Sequence, residues 1–229
     1  MNTLILGIGN LLWADEGFGV RAVEQLNALY RFNDDVVLMD GGTQGLYLAP
    51  FVQQSDLLVI FDAIDYGLAP GTLKTLEGED VPSFMGAKKM SLHQTGFQEV
   101  LAMAQMLGEY PDELLLVGVQ PEVLEDYGGS LRPLTRSRIE PAIDLALRWL
   151  AARGVHARKR EQPLPEDQSL AGAEVQIQRY ERERPPPELA CRIGDERVLR
   201  DPDFHLQYKP HPLEPEQVIS CDVDHRGKY

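Results

Sequence analysis

Cysteine is almost missing from this chain: two occur among 229 residues, Cys191 and Cys221, both in the last third. The first two thirds therefore lack a thiol nucleophile and a thiolate metal cage, and only one late disulfide between those two is open. Long apolar runs are missing too. None approaches the ~18 residues of a membrane-crossing helix, and the N-terminus is strand-like rather than a charged leader, so a cytoplasmic protein without membrane insertion is expected. Positive charge is scarce, with 22 Lys and Arg against 36 Asp and Glu and a net charge of -14. The deficit lies in front: residues 1–150 hold 9 basic and 21 acidic side chains, residues 151–229 hold 13 and 15. An acidic front portion is ill suited to nucleic acid or to an anionic membrane surface. Two catalytic signatures are absent as well. Without His-Glu-x-x-His the chain is no ordinary zinc peptidase, and without Gly-x-Ser-x-Gly the Ser91–His93 pair lacks the turn that supports a hydrolytic serine.

What is present is an alternation of strands and helices. Residues 3–8, 36–39, 57–61 and 114–119 are unbroken apolar runs, the pattern of strands buried on both faces of a parallel sheet. Helical spacing follows the first run at Val20, Val23, Leu26, Leu29 and Tyr30, and returns over residues 97–107 and 139–150, with a shorter helix over 46–52. Residues 73–76, after the turn Ala69-Pro70-Gly71, read as one antiparallel addition. The class is α/β: a three-layer α/β/α sandwich around a twisted, mostly parallel five-stranded mixed sheet. At 43% hydrophobic residues the chain fills one such core.

Past Gly154 the pattern breaks. Nine of the sixteen prolines fall in residues 151–229, among them Pro185-Pro186-Pro187, and charged clusters such as 179–184 interrupt any apolar period. Residues 1–152 thus read as the α/β domain and 153–229 as a linker with a weakly structured proline-rich tail, holding at most short strands at 175–177 and 218–219.

The first strand ends in Gly7-Ile8-Gly9-Asn10 and leads to Asp15-Glu16. A dinucleotide fingerprint needs a third glycine where Leu12 stands, and two carboxylates oppose phosphates at a helix start. The acids instead gather where open α/β sheets bind ligands, at the carboxyl ends of strands. Glu16 follows the first strand, Asp40 ends the second, Asp62 ends the third with Asp65 behind it, and His93 precedes a helix. Two carboxylates and an imidazole leave open positions on a borderline divalent ion such as nickel or zinc.

These stretches, with Asp15-Glu16-Gly17-Phe18-Gly19, Asp40-Gly41-Gly42-Thr43-Gln44-Gly45, Asp62-Ala63 and Ser91-Leu92-His93-Gln94, resemble the nickel-iron hydrogenase maturation endopeptidases over residues 1 to about 152. The resemblance implies an endopeptidase that removes the C-terminal extension from the nickel-loaded precursor of a hydrogenase large subunit. It implies that nickel, carried by the substrate, is recognised by Glu16, Asp62 and His93, with Asp40 in a second acidic motif of less settled role. No organic cofactor and a monomeric protein are expected. A non-catalytic nickel-binding chaperone on the same fold, and more remotely a nucleotide-binding enzyme, stay open as alternatives.

Overall fold

The computed structural model describes residues 1–81, 92–123, 126–165, 168–170, 172 and 175–184, and for residues 92–95 the backbone alone. Ser91, the triple proline, both cysteines and residues 218–219 lie outside the described residues.

The apolar runs form the sheet. β1 (Thr3–Ile8) and β4 (Leu57–Ala63) are buried along their whole length, as contiguous Leu, Ile, Val and Phe require of strands covered on both faces. β2 (Tyr30–Arg31) lies apart from them, and β3 (Val36–Gly42), β5 (Leu73–Glu77) and β6 (Glu113–Val119) complete the main sheet. Its order is β3-β1-β4-β6-β5. Every pair is parallel except β5, which runs antiparallel to β6 at the edge. The sandwich and the five-stranded mixed sheet are therefore as expected. β3 runs further than its apolar letters, through Asp40 to Gly42.

Side-chain alternation divides the core into two layers. On one face α1 (Phe18–Leu29) and, later in the chain, the helix Ile139–Ala151 pack Phe18, Ala22, Leu26, Ile143 and Leu150 against Ile5, Val59 and Phe61. On the other, α2 (Ala49–Gln53) and α3 (Leu92–Leu107) set Val52, Phe97, Val100 and Leu101 against Leu6, Leu58 and Ile60. Each such side chain contributes roughly 1.5–3 kcal/mol by leaving water. α4 (Pro133–Arg136) is a single turn that leads into α5, the helix Ile139–Ala151. α1 lies unusually close to the sheet: a Cβ on Gly19 would collide with the carbonyl oxygens of both Ile8 and Phe61.

Beyond residue 152 the chain turns back along α1. β7 (Arg158–Lys159) pairs antiparallel with β2. The Arg160 amide donates to Leu29 O at 2.8 Å, the Leu164 amide to Ala28 O at 3.0 Å, and the Arg160 guanidinium to Asn27 O and Tyr30 O. Carbonyls that the end of a helix leaves open are thus satisfied by this segment. The strand expected at 175–177 does not form. Residue 177 opens α6 (Ile177–Glu183), whose Arg179–Glu183 pair at 3.0 Å has the i,i+4 spacing that supports a helix. Ile177 and Leu170 pack against the α1–α5 core.

Candidate functional site

The turn after β1 is built by glycine and asparagine. Gly9 has φ +143°, a conformation side chains rarely adopt, and a Cβ there would strike Glu16 O. The Gly9 amide donates to Gly42 O at 3.0 Å, tying the ends of β1 and β3 together. Asn10 then folds the chain locally by accepting the Leu12 amide on its side-chain oxygen at 3.0 Å. Ala14 takes φ 43°, a strained value for a residue with a side chain. The short 3-10 helix Ala14–Gly17 follows, carries Asp15 and Glu16, and packs on β4.

The two neighbouring acids have different surroundings. Asp15 is fully buried and accepts backbone amides from Arg132 at 2.9 Å and Glu122 at 3.1 Å, with the Arg132 guanidinium 3.6 Å away. It is the anchor of the loop after β6, a role that sequence spacing does not reveal. Glu16 is also buried, at the carboxyl end of β1 beside β4.

Asp62 occupies the penultimate position of β4, fully buried, its carboxylate accepting the Ala63 amide at 2.7 Å. The alternation of β4 puts it with Leu58 and Ile60, on the face covered by α3. His93 lies in the first turn of α3, which begins at Leu92, so it stands within the helix rather than ahead of it. The start of α3 approaches the loop after β3, where a Cβ on Gly96 would come within 3.4 Å of Gly45 Cα. Glu16, Asp62 and the His93 backbone therefore share one end of the sheet, and Asp62 shares a face with α3.

Asp40 is turned the other way. It pairs in register with Gly7 and follows Val36 and Leu38, which pack on the α1 side. There the buried Arg21 is bonded to Glu24 at 2.9 Å. Burial raises the Asp40 carboxyl above its ordinary range, opposed by the Gly42 amide and by Arg21. Burial likewise raises Glu24, against the pull of Arg21. Asp65 is held by structure: its Oδ1 accepts Gly67 N and Gln120 Nε2, while Gln120 Oε1 accepts the amides of Tyr66 and Leu68.

One further group near Asp62 escaped the sequence. Tyr66 folds over Gly118, the residue in register with Asp62 across β4 and β6, and a Cβ on Gly118 would strike its hydroxyl. Burial, then the Asp62 charge, holds the phenol well above its usual range. The available signal was Gly118 itself, a glycine inside an apolar strand, which marks a close approach. Among the described residues, which do not include the His93 side chain, no three His, Cys, Asp or Glu side chains are placed to hold a metal ion.

One end of the sheet thus holds two buried carboxylates, Asp62 on β4 and Glu16 on the 3-10 helix that packs against it. Residues 20–149 match the family model described as "Hydrogenase maturation protease". The chain is 63% identical to hydrogenase expression/formation protein HupM of Azotobacter chroococcum over 201 residues, 88% of this chain and 95% of that protein. It is 61% identical to protein HupD of Thiocapsa roseopersicina over 86% of this chain and 89% of that one. The solved hydrogenase maturating endopeptidase HybD from E. coli superposes with a TM-score of 0.67 and 43% identity, covering 70% of this chain and 98% of that chain. The chain belongs to the hydrogenase maturation protease family and is a peptidase. The match to the Azotobacter protein necessarily runs on past residue 152.

Proposed function

We propose that this peptidase removes the C-terminal extension of a nickel-iron hydrogenase large-subunit precursor and recognises nickel already seated in that substrate. Glu16, Asp62 and His93 are the recognition set. The observation that carries this reading is that Asp62 lies at the end of β4 while the 3-10 helix that follows the neighbouring β1 and carries Glu16 packs on β4, with the first turn of α3 at the same end of the sheet.

Two carboxylates and one imidazole complete a divalent site only when another partner supplies ligands, which suits a visiting ion better than a resident one. Nickel held in this way fixes the precursor against the sheet end, and such fixing removes a large part of a hydrolytic barrier. A carboxylate freed from water's screening is also a competent base for the attacking water. Asp40, on the opposite face beside Arg21, is assigned to the support of the β3 end rather than to this set.

The test uses Glu16→Gln, Asp62→Asn and His93→Ala, each checked for a cooperative melt. With nickel-loaded precursor, each folded variant should shorten the substrate at least about 100-fold more slowly than wild type. A folded variant that retains the wild-type rate removes its residue from the set.

A further inference from the structure

The loop 126–132 is held from two sides. Towards the site it meets the turn that carries Glu16: the Gly128 amide donates to Leu12 O at 2.7 Å, the Arg132 amide donates to the Asp15 carboxylate, and Tyr127 meets Trp13 edge to face at 5.5 Å. Gly129 lies so near that a Cβ on it would come within 2.8 Å of the Ala14 Cβ. From behind, the same loop is held by α6. Tyr180 Oη donates to Gly129 O at 3.3 Å, Arg184 donates to Gly128 O at 3.3 Å, and Ser130 Oγ donates to Glu181 Oε1 at 2.8 Å. Arg136, just past the loop, pairs with the same Glu181 carboxylate at 3.2 Å.

We propose that α6 braces the processing site, with Tyr180 and Glu181 as positioning residues that act on Glu16 through the loop 128–132. The proposal rests on the assignment of Glu16 to that site. Its physical basis is the strained Ala14. A backbone held off its preferred conformation persists only where its surroundings over-determine it, and here the loop supplies the contacts on one side of Ala14 while α6 backs the loop. The HybD match, which accounts for nearly all of that enzyme, covers only 70% of this chain. The segment that forms the brace belongs to the part of the chain after residue 152.

The experiment compares the full-length protein with the double variant Tyr180→Phe/Glu181→Ala, with Glu181→Gln, and with Arg182→Ala. Arg182 sits on the same helix, is 72% exposed and bonds to Glu183 within that helix, so it controls for changes to α6 itself. Amide hydrogen exchange is followed at Gly128 and Arg132, alongside kcat/KM for nickel-loaded precursor. In the double variant both amides should exchange about ten-fold faster while the amides of β4 keep their protection, and kcat/KM should fall at least about five-fold. Glu181→Gln, which keeps an acceptor for Ser130, should lie nearer wild type, and Arg182→Ala should match it. Unchanged exchange at Gly128 and Arg132 overturns the brace, as does faster exchange with undiminished processing. Should wild type itself leave the precursor whole, the assigned activity fails, and the brace is then decided by hydrogen exchange alone.

Discussion

At the scale of single residues, adjacent carboxylates have separate tasks because their surroundings differ. Asp15 is spent on two backbone amides and Arg132, whereas Glu16 is buried in the short 3-10 helix that packs on β4. Asp40 shows a third case. Its carboxyl is raised chiefly by burial, so folding favours its neutral form. The stability it confers is complete below its unfolded value of 3.8 and is lost as the pH rises through the higher folded value. Asp40→Asn, which keeps an acceptor for Gly42, should therefore raise the urea midpoint at about pH 7 and leave it close to wild type at about pH 4. A lower midpoint at neutral pH would show that the attraction of Arg21 outweighs burial. That Asp62 lies at the end of β4 and that Glu16 follows β1 could be read from the sequence, because acids beside unbroken apolar runs are conspicuous. The face on which Asp40 lies was not legible, since it depends on strand register and on how far β3 extends. Nor was Tyr66, whose place follows from the space left by Gly118 on another strand.

Among the elements, the central strands and the long helices could be read directly, because continuous apolar runs and 3.6-residue spacing are strong local signals. What failed were elements whose stability comes from contact with something distant. β2 and β7 are two residues each and exist through their mutual pairing. α6 has no buried residue of its own and is held by Arg179–Glu183 and by the loop it meets, so its sequence resembles a solvated charged stretch. The close seat of α1 was half legible in Gly7-Ile8-Gly9 and Gly19. Gly19→Ala places a methyl against two backbone carbonyls that cannot rotate away, and should cost about 1–3 kcal/mol or more through displacement of α1 from the sheet. Thermal or urea unfolding measures this directly. A loss below about 0.5 kcal/mol would mean that the helix has slack to move.

Taken as a whole molecule, the chain joins an acidic peptidase domain to a segment that caps α1 and backs the site loop. No helix among the described residues is long and apolar enough to cross a membrane. The family establishes a protease of hydrogenase maturation; under the proposed assignment of Glu16, Asp62 and His93, its reaction is licensed by metal in the substrate. The most direct measurement is the mass of the products when the purified, chelator-washed enzyme is mixed with nickel-loaded or nickel-free large-subunit precursor. Shortening of the loaded precursor alone, by one C-terminal peptide, is the expected result. Equal shortening of both forms, or activity that returns only when metal is restored to the washed enzyme, would contradict recognition through substrate nickel.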